Sequence, residues 1–174
     1  RKVYFDSPFL EANVQGRFDY TTVSTSILKM LKQYIPSLLT VNSPIIPHNN
    51  FTFSAHFHNT QALTDLFQLP LTIHENSFFS GSIDDDAHTM HLQGDFPNFN
   101  YNNFHIKDAI LLCNNSPELF DCNIHGNALM KDSSLLNLSL QAKAKDDRIQ
   151  TSFEWKNNVG EEYRGKLSAS ALLR

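Results

Sequence analysis

His56 and His58 stand two residues apart, a spacing that places both imidazoles on one face of an extended strand. Paired imidazoles are a common beginning of a metal site. No third ligand is evident along the chain, so two solvated histidines are the simpler reading. Asp84-Asp85-Asp86, with His88 and His91 close by, superficially suggests calcium. A loop of the EF-hand kind needs alternating ligands, a glycine at its sixth position and a distal glutamate, and these are missing. The acidic run therefore reads as a hairpin tip. Serines and histidines are plentiful, yet nothing resembles a nucleophile elbow, and scattered residues do not make a triad. No catalytic residue, metal or cofactor is assigned, and no enzyme is expected. Cys113 and Cys122 are the only cysteines. They flank Asn114-Asn115-Ser116-Pro117-Glu118, a strong turn signal, and counting outward can place them opposite each other on a hairpin. A cross-strand disulfide in an oxidising compartment is one reading; two small buried hydrophobes is the blander one. Asn50-Phe51-Thr52, Asn114-Asn115-Ser116 and Asn137-Leu138-Ser139 match glycosylation sequons, a pattern that chance often produces.

The elements that would position these residues are mostly strands. Leu10, Ala12, Val14, Gly16 and Phe18 alternate with Glu11, Asn13, Gln15 and Arg17. Phe51, Phe53, Ala55 and Phe57 repeat the pattern, as do Met90, Leu92, Gly94 and Phe96. So do the stretches Cys122–Met130, Leu136–Ala144, Ile149–Trp155 and Tyr163–Ala171. With Phe78–Ile83 and a longer run from Phe99 to Leu112, the pattern gives about nine strands. Asp84-Asp85-Asp86, Lys131-Asp132-Ser133, Lys145-Asp146-Asp147 and Asn157-Asn158-Val159-Gly160 suit short reversals, which make neighbouring strands antiparallel. From residue 77 onward the chain reads as one meander. Two helices interrupt the earlier part. One is capped by Ser24 or Thr25 and runs to about Ile35, with Ile27, Leu28, Leu31 and Ile35 on one stripe before Pro36. The other starts at Asn59 or Thr60 and stops before Pro70. The first has only Lys29 and Lys32 as basic residues, so capping one end of the β core suits it better than lying on a membrane. Residues 9–70 can be two diverged strand–helix units, and Asn42–Asn50, with two prolines and no periodicity, reads as a loop.

At 174 residues the chain is the size of one domain, taken as residues 1–174. Hydrophobic residues at 41% against 18% charged argue against disorder. A net charge of −4 and a pI near 6.0 give no basic field, so no nucleic-acid partner is expected. The chain begins at Arg1 and contains no apolar run long enough to span a bilayer. It reads as a fragment of a larger protein, with any membrane anchor outside it.

Strands with one apolar face must bury it in a sandwich, a barrel, or a trough whose walls share an apolar interior. A meander without a long Greek-key return suits the trough. Taken alone, the pattern fits a closed β-sandwich or barrel somewhat better. Gly16, Gly81, Gly94, Gly126 and Gly165 fall within strands, where glycine permits bending and close approach.

Several stretches resemble the TamB/AsmA-like family, especially its Bacteroidetes members. They are Leu10-Glu11-Ala12-Asn13-Val14-Gln15-Gly16-Arg17-Phe18-Asp19-Tyr20 with the later Tyr34-Ile35-Pro36-Ser37-Leu38-Leu39; Met90-His91-Leu92-Gln93-Gly94-Asp95-Phe96-Pro97-Asn98-Phe99-Asn100-Tyr101 leading into Phe104-His105-Ile106-Lys107-Asp108-Ala109; and Ile149-Gln150-Thr151-Ser152-Phe153-Glu154-Trp155-Lys156-Asn157-Asn158, with Arg164-Gly165-Lys166-Leu167 after it. Their order and spacing look like that family over nearly the whole chain. The resemblance implies a mainly β fold, an elongated antiparallel meander curled into a β-taco-like groove with two short helices near the N-terminal half. It also implies a periplasmic protein anchored in the inner membrane, associated with phospholipid transport to the outer membrane and with outer-membrane protein assembly. Phospholipid is then the expected ligand, and an outer-membrane β-barrel protein a candidate partner. On that reading Phe18, Phe53, Phe57, Leu92, Leu138, Leu140, Phe153, Trp155 and Leu167 line the groove. A structural or chaperone-like module that presents a β edge is the alternative, and an adhesive or carbohydrate-binding sandwich a third.

Overall fold

A computed structural model describes residues 1–39, 46–132, 134–157 and 163–173. Its elements follow the chain as β1 (Lys2–Asp6), β2 (Leu10–Arg17), α1 (Val23–Lys32), β3 (Asn50–Phe57), α2 (Gln61–Phe67), β4 (Leu71–Ile73), β5 (Ser77–Asp84), β6 (Thr89–Tyr101), β7 (Phe104–Asn115), β8 (Phe120–Leu129), β9 (Leu135–Lys145), β10 (Arg148–Asn157) and β11 (Arg164–Leu172). All eleven strands belong to one antiparallel sheet ordered β1-β2-β3-β5-β6-β7-β8-β9-β10-β11, with β4 attached to the far end of β6. No described helix is long and apolar enough to cross a membrane.

The meander and the two short helices are as the sequence predicts, although α1 starts after Thr22 rather than Ser24 or Thr25 and ends at Lys32, short of Ile35. Neither the closed sandwich nor the expected curled groove is seen. There is one sheet, β1 and β11 are separate edges, and the sheet is neither closed nor strongly curled. Each short hairpin adds a strand to the growing edge, and among the described residues no second set of strands returns to pack face to face. Two strands escape the periodicity, β1 and the three-residue β4. The expected run from Phe99 to Leu112 is instead the end of β6, a reversal at Asn102-Asn103 and most of β7. Asn102 takes φ 52°, a left-handed value that asparagine tolerates better than most residues. Asp146 and Asp147, both with positive φ, make the two-residue link between β9 and β10. The expected turn after Asn157, the last residue of the expected Lys131-Asp132-Ser133 turn, and residues 42–45 of the Asn42–Asn50 loop lie outside the described residues.

Register aligns the apolar positions into rows across the strands. One row reads Phe5, Ala12, Ala55, Phe79, Gly94, Leu111, Ile124, Leu140, Phe153 and Leu167, from β1 to β11. A parallel row passes through Phe53, Gly81, Leu92, Cys113, Cys122, Ala142 and Thr151. Because side chains alternate strictly, a single slip anywhere would turn every later strand inside out. A bulge in β7 between Lys107 and Ile110, with Asp108 at φ 51°, absorbs the irregularity where Phe99 and Ile106 continue the apolar face.

Helix α1 and the turn after it lie across one end of this face. Met30 is buried with Phe51, Ile83 and Met90, and Tyr34 and Ile35 pack with Ala144. Three hairpin turns hold the segment. Ser26 Oγ donates to Asp85 (2.8 Å), the Gln33 amide donates to the Pro117 carbonyl (2.9 Å), and Ser37 donates its backbone N–H (2.9 Å) and its hydroxyl (2.5 Å) to Asp147. Asn49, 1% exposed, completes the anchor by donating to Thr22 and Ser26 and accepting from the Asp19 N–H. The expected end-capping role of this helix is the one it plays.

Candidate functional site

Beyond the band under α1, the apolar face stays open. Ile124, Leu140, Phe153 and Leu167, consecutive in one row, are 41%, 38%, 37% and 66% exposed. A monomeric soluble protein rarely leaves so continuous an apolar surface uncovered, and such surfaces mark sites of interaction. Next to this row lies a hollow of about 410 Å³. It is lined by Leu111, Ile124, Leu138 and Leu140, by Phe96, Phe99 and Ile106, and by Leu71 and Ile73 of β4. The volume falls within the range of ordinary small-ligand sites, but the lining offers almost no polar group to fix an orientation. What such a hollow can do chemically is hold hydrocarbon.

Two glycines let aromatic rings lie against the sheet. A Cβ on Gly94 would sit 2.4 Å from the Phe96 ring, and one on Gly165 would sit 2.0 Å from the Trp155 ring. With rings laid over backbone, the surface stays smooth and unbranched.

The nine expected lining residues divide into groups. Leu138, Leu140 and Phe153 line the hollow. Trp155 and Leu167 continue the same face toward the β11 edge. Phe57 contacts Phe96 with ring centroids 6.5 Å apart. Phe18, Phe53 and Leu92 instead pack against the Met30 cluster beneath α1, Phe18 lying just past β2 with its ring 5.7 Å from that of Phe51. Sequence reasoning missed Leu71, Ile73, Phe99, Ile106 and Ile124 as lining. Ile124 was visible in the alternation, whereas Leu71 and Ile73 sit in a strand too short to show a period.

Polar groups on the rest of the surface are largely spent on one another. Asp86 takes a 2.6 Å bond from Arg17 and lies 3.2 Å from His48 Nδ1; the His48 bond first, then Arg17, holds its carboxyl below the usual range. Asp84 accepts from Asn50 and from the Ala87 N–H, and Asp85 from Ser26 and the Asn49 N–H. The acidic run is a hairpin tip, as expected. Lys166 bonds Glu154 at 2.5 Å across β10 and β11 and lowers its pKa. A larger hollow of about 690 Å³ opens partly among Asn127, Asn137, Glu154 and Lys166, whose side chains already pair with each other. Cys113 and Cys122, directly opposed in register, are joined in a disulfide.

No protein-family model matches the chain, and no match is found among curated proteins or solved structures.

Proposed function

We propose that this chain is a lipid-conducting segment that shields phospholipid acyl chains on the open apolar face of its sheet, within a periplasmic protein that serves outer-membrane biogenesis. The observation that carries the reading is the uninterrupted apolar row from Phe5 to Leu167, open over β8 to β11 and beside a hydrocarbon-lined hollow. Burying a methylene is worth about 0.8 kcal/mol, so a ~16-carbon chain faces a barrier of about 12 kcal/mol to bare exposure in water. A face of Phe, Leu, Ile and Ala offsets much of that cost while a headgroup stays in solvent. Its contacts have no direction, which lets a tail move along the row instead of locking in place. On this reading the sheet curls more strongly around lipid into a groove, with α1 closing one end. The Cys113–Cys122 disulfide suits an oxidising compartment such as the periplasm.

A second reading has its own support. β11 is the last strand of the sheet and almost wholly exposed, and an outer-membrane barrel protein could add a strand to its outer edge. Native mass spectrometry of the chain mixed with phospholipid separates the two. Bound phospholipid in the parent, lost in Leu140→Asp/Phe153→Asp but kept in an edge variant such as Ser168→Pro, supports conduction. Absence of bound lipid in the parent, or equal binding by the face variant with an unchanged circular-dichroism spectrum, would reject it.

A further inference from the structure

The third ligand that His56 and His58 lack in the sequence is supplied by the fold. β2 and β3 pair so that Glu11 stands directly opposite His56. A ring nitrogen of each histidine and a Glu11 carboxylate oxygen all lie within 4.8 Å of one another, on the face opposite the lipid surface. The two imidazoles meet edge to face with centroids 5.1 Å apart. We propose that Glu11, His56 and His58 bind a borderline divalent cation of the Zn²⁺ class.

The chemistry of the donor set fits that ion. Two imidazoles and one carboxylate suit zinc, and three protein ligands leave a fourth tetrahedral position to be filled from solution. Ligand atoms around a tetrahedral zinc stand roughly 3.3–3.6 Å apart, given bonds of about 2.0–2.2 Å, so rotation of the side chains alone closes the remaining distance. Three further observations converge on the place. Asp6 of β1 lies directly opposite Glu11, and two carboxylates facing each other across a ladder repel. A cation between the strands relieves that repulsion. Tyr4, paired with Asn13 in the β1–β2 register and so on the same face, hydrogen-bonds Glu11. That bond makes Tyr4 a positioning residue for the ligand carboxylate. Beside the cluster a hollow of about 370 Å³ is lined by Glu11, Asn13, Ser54, His56 and Phe78, and the Asn13 Oδ1 atom has no hydrogen-bond partner. The hollow gives the fourth ligand room.

The ion would tie β2 to β3 at the strand end from which α2 departs, where His58 already donates its N–H to the Phe9 carbonyl (3.1 Å). Calorimetric titration of the 174-residue chain with Zn²⁺ is the test, alongside zinc X-ray absorption of the loaded chain. One equivalent should bind with micromolar or tighter affinity, with two imidazoles in the first shell. Glu11→Gln and His56→Ala should each weaken binding by more than tenfold, and Tyr4→Phe by about tenfold, while His74→Ala and His105→Ala leave it unchanged. Binding only in the millimolar range, a first shell without paired imidazoles, or equal affinity in the Glu11 and His56 variants overturns the site. The absorption spectrum is read on the parent chain, so the result stands even if a variant fails to fold.

Discussion

Trp155 and Gly165 face each other across β10 and β11, and the ring occupies the space a side chain at 165 would need. Ordinarily, replacing a strand glycine with alanine stabilises by about 0.5–1 kcal/mol, because glycine has more freedom to lose. Here the added methyl must push the indole off its rotamer, at about 0.5–1.5 kcal/mol, and it uncovers apolar ring surface as well. Gly165→Ala should therefore change stability by less than about 1 kcal/mol while shifting the emission of the only tryptophan to longer wavelength. Gly16 behaves differently. Its φ of +132° and the Asn50 carbonyl 2.3 Å from a built Cβ leave backbone on both sides of the conflict. Gly16→Ala should cost about 1–3 kcal/mol in chemical denaturation. Equal stability of the two variants would contradict both accounts. At this scale the sequence exposes residue types but not neighbours. His56 and His58 advertise themselves by spacing, while Glu11 joins them only through the pairing of β2 with β3.

Among the elements, the β7–β8 hairpin carries the one covalent cross-link found in the described residues. Cys113 and Cys122 are separated by 9 residues, a small loop, and closing it removes about 2–3 kcal/mol of unfolded-state freedom. Reduction, or Cys113→Ala/Cys122→Ala, should lower the urea midpoint by roughly 1 M at an unfolding slope of about 2 kcal/mol per M. An unmoved midpoint under reductant would mean the hairpin is held by its ladders alone. Most elements are legible because an antiparallel strand with one wet face must alternate. β1 is hidden because Val3, Tyr4 and Phe5 are consecutive large hydrophobics, all exposed in the fold, and a run of that kind has no period. β4 is hidden by its length. The Asn102-Asn103 reversal escapes notice because irregularity on both sides shifts the phase, so Phe96 and Phe99 share a face at odd spacing and their rings come within 6.3 Å.

Across the whole molecule, the question left to physics is how one sheet with a single apolar face lives in water. Alternation says which face is apolar and nothing about curvature, since the same pattern serves a sandwich, a barrel or an open sheet. α1 resolves the problem at one end only, where Met30, Tyr34 and Ile35 are buried. Elsewhere Ile124, Leu140, Phe153 and Leu167 need a cover, and a second copy of the same face is always at hand when no amphiphile is. In lipid-free buffer the chain should therefore associate in a concentration-dependent way, measured as molar mass by light scattering. Adding lysophospholipid should return it to one chain per particle with bound lipid. Leu140→Asp/Phe153→Asp should be monomeric without any amphiphile, since two charges on the row make face-to-face burial unfavourable by several kcal/mol. A parent chain that stays monomeric in lipid-free buffer and takes up no lysophospholipid would show that its apolar face is satisfied from within, leaving no surface for a hydrocarbon tail to follow.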